Sequence, residues 1–306
     1  MPDLQERRLG RTEIRPKAVG MGGAWWGAGP ESETINAIER AVELGINFFD
    51  TYPGEHEGRW GKALSGGKRE KVYLQGKVSS AVSNERTSDH SAAKTRSSLE
   101  ASLVALRTDY LDSVLIHGYD QPEQLEGPEA ILDPLAPGNA LDELIKMRDE
   151  GLLRHIGIGA RNAEVINRAT ATGEIEIVLT YLEYSLLTQA AERDFFPQCR
   201  ARDVGVLLAS PHGMGLLTGE EPDSGEEQRK VPGEKPRAHA MWQWCRDRDV
   251  NIRHLAIQFC MAAPVDGIVL PGPATKRQLE EAYEAGTADI PEAIWADFKA
   301  AFGVGV

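Results

Sequence analysis

The chain has 306 residues, of which 41% are hydrophobic and 26% charged, and its 34 basic against 47 acidic side chains leave a net charge of −13. This is the composition of a globular protein with material for a core. Its negative charge disfavours phosphate backbones and anionic lipid surfaces, so neither nucleic acid nor a membrane is an expected partner. Cys199, Cys245 and Cys260 are widely spaced with no CxxC pair, the N-terminus MPDLQERRLG has no apolar segment, and no apolar run reaches about 18 residues, so a cytoplasmic setting is expected.

In chain order, ERRLGRTEIRPKAV reads as a hairpin with its turn near Gly10 and Arg11, placed to close the bottom of a barrel. Eight apolar, β-branched runs follow: Ala18 to Gly22, Asn47 to Thr51, Val72 to Val78, Leu111 to His117, His155 to Gly159, Ile175 to Leu182, Val204 to Ser210 and Gly267 to Leu270. Segments of helical period lie between them, among them ESETINAIERAVELG, AAKTRSSLEASLVALRT, ALDELIKMRDEGLL, AEVINRATATG and AERDFFPQCRARD, several closing at Gly. Residues 218 to 238, rich in Gly, Pro and charge, read as one long binding loop, followed by a helical pair that precedes the last strand. The alternation predicts an α/β protein, a single-domain (β/α)8 TIM barrel over residues 1 to 306 with an N-terminal β-hairpin and C-terminal helices. An open dinucleotide-binding sheet would place GxGxxG after its first strand, and no such motif stands there.

Barrel enzymes carry their chemistry at the C-terminal ends of the strands. Here the second strand ends at Asp50, the third at Lys77 and the fourth at His117, which brings three ionisable groups of different type to one rim. Tyr52 follows Asp50 closely. A phenol titrates near about 10 when unperturbed, and a neighbouring cation lowers that value, so a Lys77 and Asp50 pair could tune Tyr52 as a general acid or base while His117 orients a carbonyl.

These stretches resemble the aldo-keto reductase family. RRLGRTEIRPKAVGMGG is similar to its opening hairpin and first strand, GINFFDT with WGKAL to its second strand and helix, and VYLQGKV and DSVLIHG to the segments bearing its catalytic Lys and His. RHIGIGARN, YLEYSLL, VLLASPHGMGLLTG and VLPGPATKRQLEEA follow in family order, so the resemblance spans nearly the whole chain. It implies a barrel, a nicotinamide cofactor lying across the strand ends, and a tetrad of Asp50, Tyr52, Lys77 and His117. Tyr52 departs from the family spacing. The pattern Asp-Thr-Ala-x-x-Tyr-Gly puts Tyr five residues after Asp, whereas Tyr52 lies two after Asp50 and Glu55 occupies the usual offset. Either a compressed loop still delivers the Tyr52 hydroxyl, which is the reading taken, or His56 or Glu55 replaces it.

For the cofactor, the Gly-rich SPHGMGLLTG after the seventh strand suits close approach of backbone N–H groups to a diphosphate, which nominates Ser210, Gly213, Gly215 and Leu216. The resemblance adds Gly22, Gln278 and Glu281, with Lys276 and Arg277 as sources of charge for a 2′-phosphate. Relatives that prefer NADP carry Arg and Asn where Ala274 and Ala282 stand, so NADP and NAD both remain open. Tyr181 and Tyr184 are placed on the sixth strand, Tyr181 as a platform for the nicotinamide. Trp25, Trp26, His56 and the acidic loop Glu55 to Glu57 are expected to line the substrate mouth. ASPHGMGLLTG and IGIGARN are most similar to the branch that oxidises aldoses at C1. His212 has no second ligand at metal spacing, so no metal is assigned.

The resulting expectation is an NAD(P)-dependent oxidoreductase acting on a small aldehyde, ketone or sugar, as a monomer or homo-oligomer. The alternative is a catalytically altered barrel that binds a nicotinamide or sugar without redox chemistry.

Overall fold

A computed structural model describes residues 2–24, 29–78, 89–118, 133–222 and 233–306. Its strands are β1 (Met21–Gly22), β2 (Phe48–Asp50), β3 (Tyr73–Val78), β4 (Leu111–His117), β5 (Leu153–Gly159), β6 (Ile177–Tyr181), β7 (Gly205–Ala209) and β8 (Gly267–Leu270). They pair in parallel in sequential order. Val19 bridges Val269, and the Gly20 and Gly22 amides donate to the carbonyls of Val269 and Pro271, so the last strand meets the first and the sheet closes as a barrel. All eight expected runs are found as strands, because short β-branched runs buried on both faces have no other stable partner.

The surrounding helices are α1 (Glu31–Glu43), α2 (Gly58–Ala63), α3 (Ala92–Leu106), α4 (Ala140–Asp149), α5 (Ala163–Ala171), α6 (Ala190–Asp194), α7 (Phe196–Ala201), α8 (Glu234–Arg246), α9 (Ile252–Met261), α10 (Lys276–Thr287) and α11 (Glu292–Phe302). Two expectations need correction. The segment from 191 to 203 is not one helix: Phe195 leaves the helical region at φ −149°, and Pro197, which lacks an N–H, sits in the first turn of a new helix. The loop expected over 218 to 238 ends sooner, since α8 starts at Glu234; residues 223 to 232 lie outside the described residues. No helix among the described residues is long and apolar enough to cross a membrane.

The hairpin forms as expected, with Glu6 paired antiparallel to Lys17. It stoppers the N-terminal mouth: Leu9 and Ile14 join Phe48, Leu115, Ile177, Leu207 and Ile268 in a cluster inside the barrel. A second, larger cluster packs the helices onto the outside of the sheet. With one mouth filled by apolar side chains, the strand ends at the other mouth are the surface on which polar groups converge.

Candidate active site

Strand alternation decides which polar side chains meet inside the barrel. On β3, Gln75 and Lys77 share a face; on β4, Ser113, Leu115 and His117 do. Asp50 ends β2 opposite Gln75. The outcome is a chain of hydrogen bonds across three strands. Ser113 Oγ donates to Gln75 Oε1 at 3.0 Å, Gln75 Nε2 donates to Asp50 Oδ1 at 2.7 Å, and Lys77 Nζ donates to the same Oδ1 at 2.5 Å and to the Thr51 carbonyl at 2.7 Å. Asp50 and Lys77 are 6% and 4% exposed, so the ion pair is desolvated and the ammonium is fixed from two sides.

The compressed loop does bring Tyr52 to this pair. Lys77 Nζ stands 5.5 Å from the centroid of its ring, and the His117 ring meets it edge-on with centroids 5.7 Å apart. Burial, reinforced by the charges of Lys77 and His90, pushes the His117 imidazole down to about 3, so it is neutral at ordinary pH. Gly159 on the neighbouring strand makes room for it: a Cβ there would stand 2.8 Å from His117 Cδ2. The four residues expected to form the tetrad are therefore adjacent at one rim.

The second part of the rim lies over β7 and β8. A cavity of about 350 Å³ is bounded by Ser210, Pro211, His212, Met214, Gly215 and Thr218 on one side, and by Gly272, Pro273, Ala274, Gln278, Glu281 and Ala282 on the other, with Arg253 between. Its loop is unusual. Ser210, Gly213, Met214 and Gly215 all have φ between 56° and 104° except Met214 at 55°, in the left-handed region that L residues such as Ser and Met rarely adopt. Positive φ at Ser210 and at the three consecutive residues Gly213 to Gly215 curls the loop tightly beside the cavity. Within the loop, the Gly213, Gly215, Leu216 and Leu217 amides donate to Ser210, His212, Gly213 and His212 carbonyls.

The other expected residues divide. Ser210, Gly215, Gln278 and Glu281 line the cavity, whereas Gly213 and Leu216 shape its loop without lining it. Lys276 opens α10 and does not line the cavity, nor does Arg277, which is 80% exposed and stands 3.3 Å from the carboxylate of Glu281. Gly22 lies at the seam where the barrel closes. Tyr181 ends β6 with the Arg161 guanidinium 5.1 Å from its ring centre. Tyr184 is not on that strand: it lies three residues beyond, stacked on Phe259 at 5.0 Å, as a core residue. His56 lies in the turn before α2, and Trp25 and Trp26 fall outside the described residues.

Glu57 is also corrected. Grouped with Glu55 as part of an acidic mouth, it is 3% exposed and points into the protein toward Thr51 and Ser102. Gln75, Ser113 and Arg253 were missed altogether, although the first two could have been found from their place in the strand alternation with Lys77 and His117.

Comparison with known proteins decides the family. The Aldo/keto reductase family model matches residues 18–301. The chain belongs to the aldo/keto reductase family. It is 29% identical to the L-galactose dehydrogenase of Arabidopsis thaliana over 94% of this chain and 89% of that one, and 28% identical to a D-threo-aldose 1-dehydrogenase of a Pseudomonas species over 89% and 88%. Its fold is similar to that of an aldo-keto reductase from Bacillus halodurans in its holo form, with a TM-score of 0.79 and 23% identity over 98% of this chain and 96% of the other. As an aldo-keto reductase related to named sugar dehydrogenases, the protein is an oxidoreductase.

Proposed function

We propose that this aldo-keto reductase is a nicotinamide-dependent dehydrogenase that oxidises a neutral aldose at C1. The observation that carries the proposal is the convergence of Tyr52, Lys77, Asp50 and His117 on one rim, with the concave loop of Ser210 to Gly215 beside it. The aldose is argued from the two sugar-dehydrogenase relatives.

The donor set of the β7 and β8 loops fits a dinucleotide. The Ser210 to Gly215 loop would lie against its diphosphate, Glu281 would face its adenosine ribose, and Tyr181 its nicotinamide ring. When bound, the nicotinamide supplies the hydride acceptor. The chain supplies position and a proton site. Neutral His117 orients the C1 oxygen by hydrogen bonding. Tyr52 takes the proton of the C1 hydroxyl in oxidation and returns it in reduction, and the Lys77 ammonium favours the phenolate that must accept it. Asp50, Gln75 and the Thr51 carbonyl hold that ammonium still.

NAD is the preferred cofactor in this reading. The cation lining the cavity is Arg253, and Glu281 Oε2 holds it at 2.7 Å; Arg277 is drawn to the other oxygen of the same carboxylate. A 2′-phosphate would have to displace this carboxylate from both guanidinium groups, whereas ribose hydroxyls can donate to it as it stands. The test is titration with NADH and NADPH by nicotinamide fluorescence, followed by NAD reduction assays across an aldose panel that includes L-galactose. Tighter NADH binding with turnover of an aldose is expected. Binding of neither nucleotide would overturn the reading.

A further inference from the structure

Glu57 is a buried carboxyl group that the proposed mechanism leaves unused. It stands at the N-cap position of α2 without its side chain capping the helix, and its depth comes from the way α2 meets α3: a Cβ on Gly61 would lie 2.4 Å from the Ala105 carbonyl oxygen, so only glycine permits this approach. The close contact sets Glu57 against Ser102, whose Oγ donates to Glu57 Oε2 at 2.9 Å. The other carboxyl oxygen, Oε1, is 3.3 Å from Thr51 Oγ1.

Counting hydrogens settles who donates in that second contact. Thr51 has one hydroxyl hydrogen, and its Oγ1 lies 2.9 Å from the Gln75 carbonyl oxygen, which can only accept. The hydrogen is therefore spent on Gln75, and the longer contact with Glu57 is attractive only if the carboxyl group itself carries a proton. Burial acts in the same direction, pushing the Glu57 carboxyl up to about 7, against smaller opposing effects of Ser102 and Lys77. Thr51 is also the residue whose carbonyl receives Lys77 Nζ.

We propose that Glu57 is a positioning residue of the redox site, a neutral carboxylic acid that braces Thr51 and through it Lys77, and whose ionisation offsets the charge that Lys77 exerts on Tyr52. The proposal rests on the reading of Lys77 and Tyr52 as the proton-transfer pair. The charged groups around Glu57 leave Lys77 as the one it acts on. Asp50 on β2 is engaged by Lys77 and Gln75, and α3 presents the uncharged Ser102. On its own turn, Glu55 is exposed and His56 half-buried, while Arg59 donates to the Gly29 carbonyl and Thr34.

Two variants and two readouts test this. Glu57→Gln keeps a donor toward Thr51 and an acceptor for Ser102 without the charge; Glu57→Ala removes both. Expected for aldose oxidation is a kcat about tenfold or more lower in E57A, as displaced catalytic groups give, with at least half of wild-type kcat recovered in E57Q. In E57Q the rise of kcat/KM that follows Tyr52 deprotonation moves to lower pH, because no carboxylate forms beside Lys77. The second readout needs no turnover. A carboxyl raised above its ordinary 4.5 in the folded state stabilises fully below that pH and loses this contribution as pH rises through about 7. Urea unfolding at pH 5 and pH 8.5 should therefore show E57Q gaining stability relative to wild type at the higher pH. An unchanged difference at the two pH values would overturn the proposal whatever the reaction proves to be, and coincident kcat/KM profiles would overturn the coupling to Tyr52.

Discussion

At the N-terminal mouth of the barrel, Arg8 reaches Asp203 and Asp266, Arg11 donates to the backbone carbonyls of Arg202, Gly173 and Ile175, and His155 lies between Glu13 and Glu176, each at 3.1 Å. At the C-terminal mouth, Asp50 and Lys77 are buried together, burial pushes the His117 imidazole down to about 3, and burial pushes the Glu57 carboxyl up to about 7. The Arg8 and Asp203 side chains are 47% and 43% exposed, so water screens their pairing and it adds little. Asp50 and Lys77 lose several kcal/mol per ion on leaving water, roughly, and recover it only through tightly placed partners. The lower mouth is stabilised by its apolar stopper and uses charge as trim. The upper mouth bears costly burial, which the proposed function explains by the strong effect of a desolvated ammonium on a nearby phenol.

That contrast can be broken from either end. The largest stability effect should come from the stopper: Leu9 is fully buried among the barrel-filling side chains, so Leu9→Ala is expected to cost about 2–5 kcal/mol in urea unfolding, with turnover per folded molecule retained. Lost turnover at unchanged stability would mean that the two mouths are not separable in this way.

A smaller effect concerns acid. Burial leads the causes that lower His117 to about 3, and His90 and His212 to about 4, from an ordinary 6.5. Groups held neutral in the fold contribute full stability above pH 6.5 and lose it as pH falls, because the unfolded chain takes up protons that the folded one refuses. Glu57 runs in the opposite sense between 4.5 and about 7, offsetting one of these protons. His212→Leu should then flatten the fall in stability between pH 6.5 and 5 by one proton, about 1.4 kcal/mol per pH unit. Parallel slopes in wild type and variant, read from urea midpoints, would show that His212 is protonated in the folded protein.

The barrel was legible because short continuous apolar runs and helical period are written locally: every strand run and the hairpin turn at Gly10 could be read from residues within a few positions of each other. Asp50, Lys77 and His117 were legible for the same reason, since Asp50 and His117 end their strands and Lys77 is one residue short of the end of its own. Contacts made across the chain were not. Glu57 looks like surface charge in EHEG, and only Ser102, on a helix held close by Gly61, makes it interior. Tyr184 read as strand because its aromatic partner Phe259 is far along the chain. The helical period from 191 to 203 concealed the break that Pro197 enforces.

Tyr52 carries the account, since its distance from Asp50 in sequence is shorter than the family pattern and its place beside Lys77 and His117 is a matter of loop geometry. The direct measurement is aldose-dependent NAD reduction by Tyr52→Phe, with NADH affinity determined on the same preparation. A general acid or base of this kind contributes about 10²–10⁴-fold, so kcat should fall by that order while NADH binds as in wild type. Turnover preserved in the phenylalanine variant would contradict the assignment and return the proton to another group on the rim.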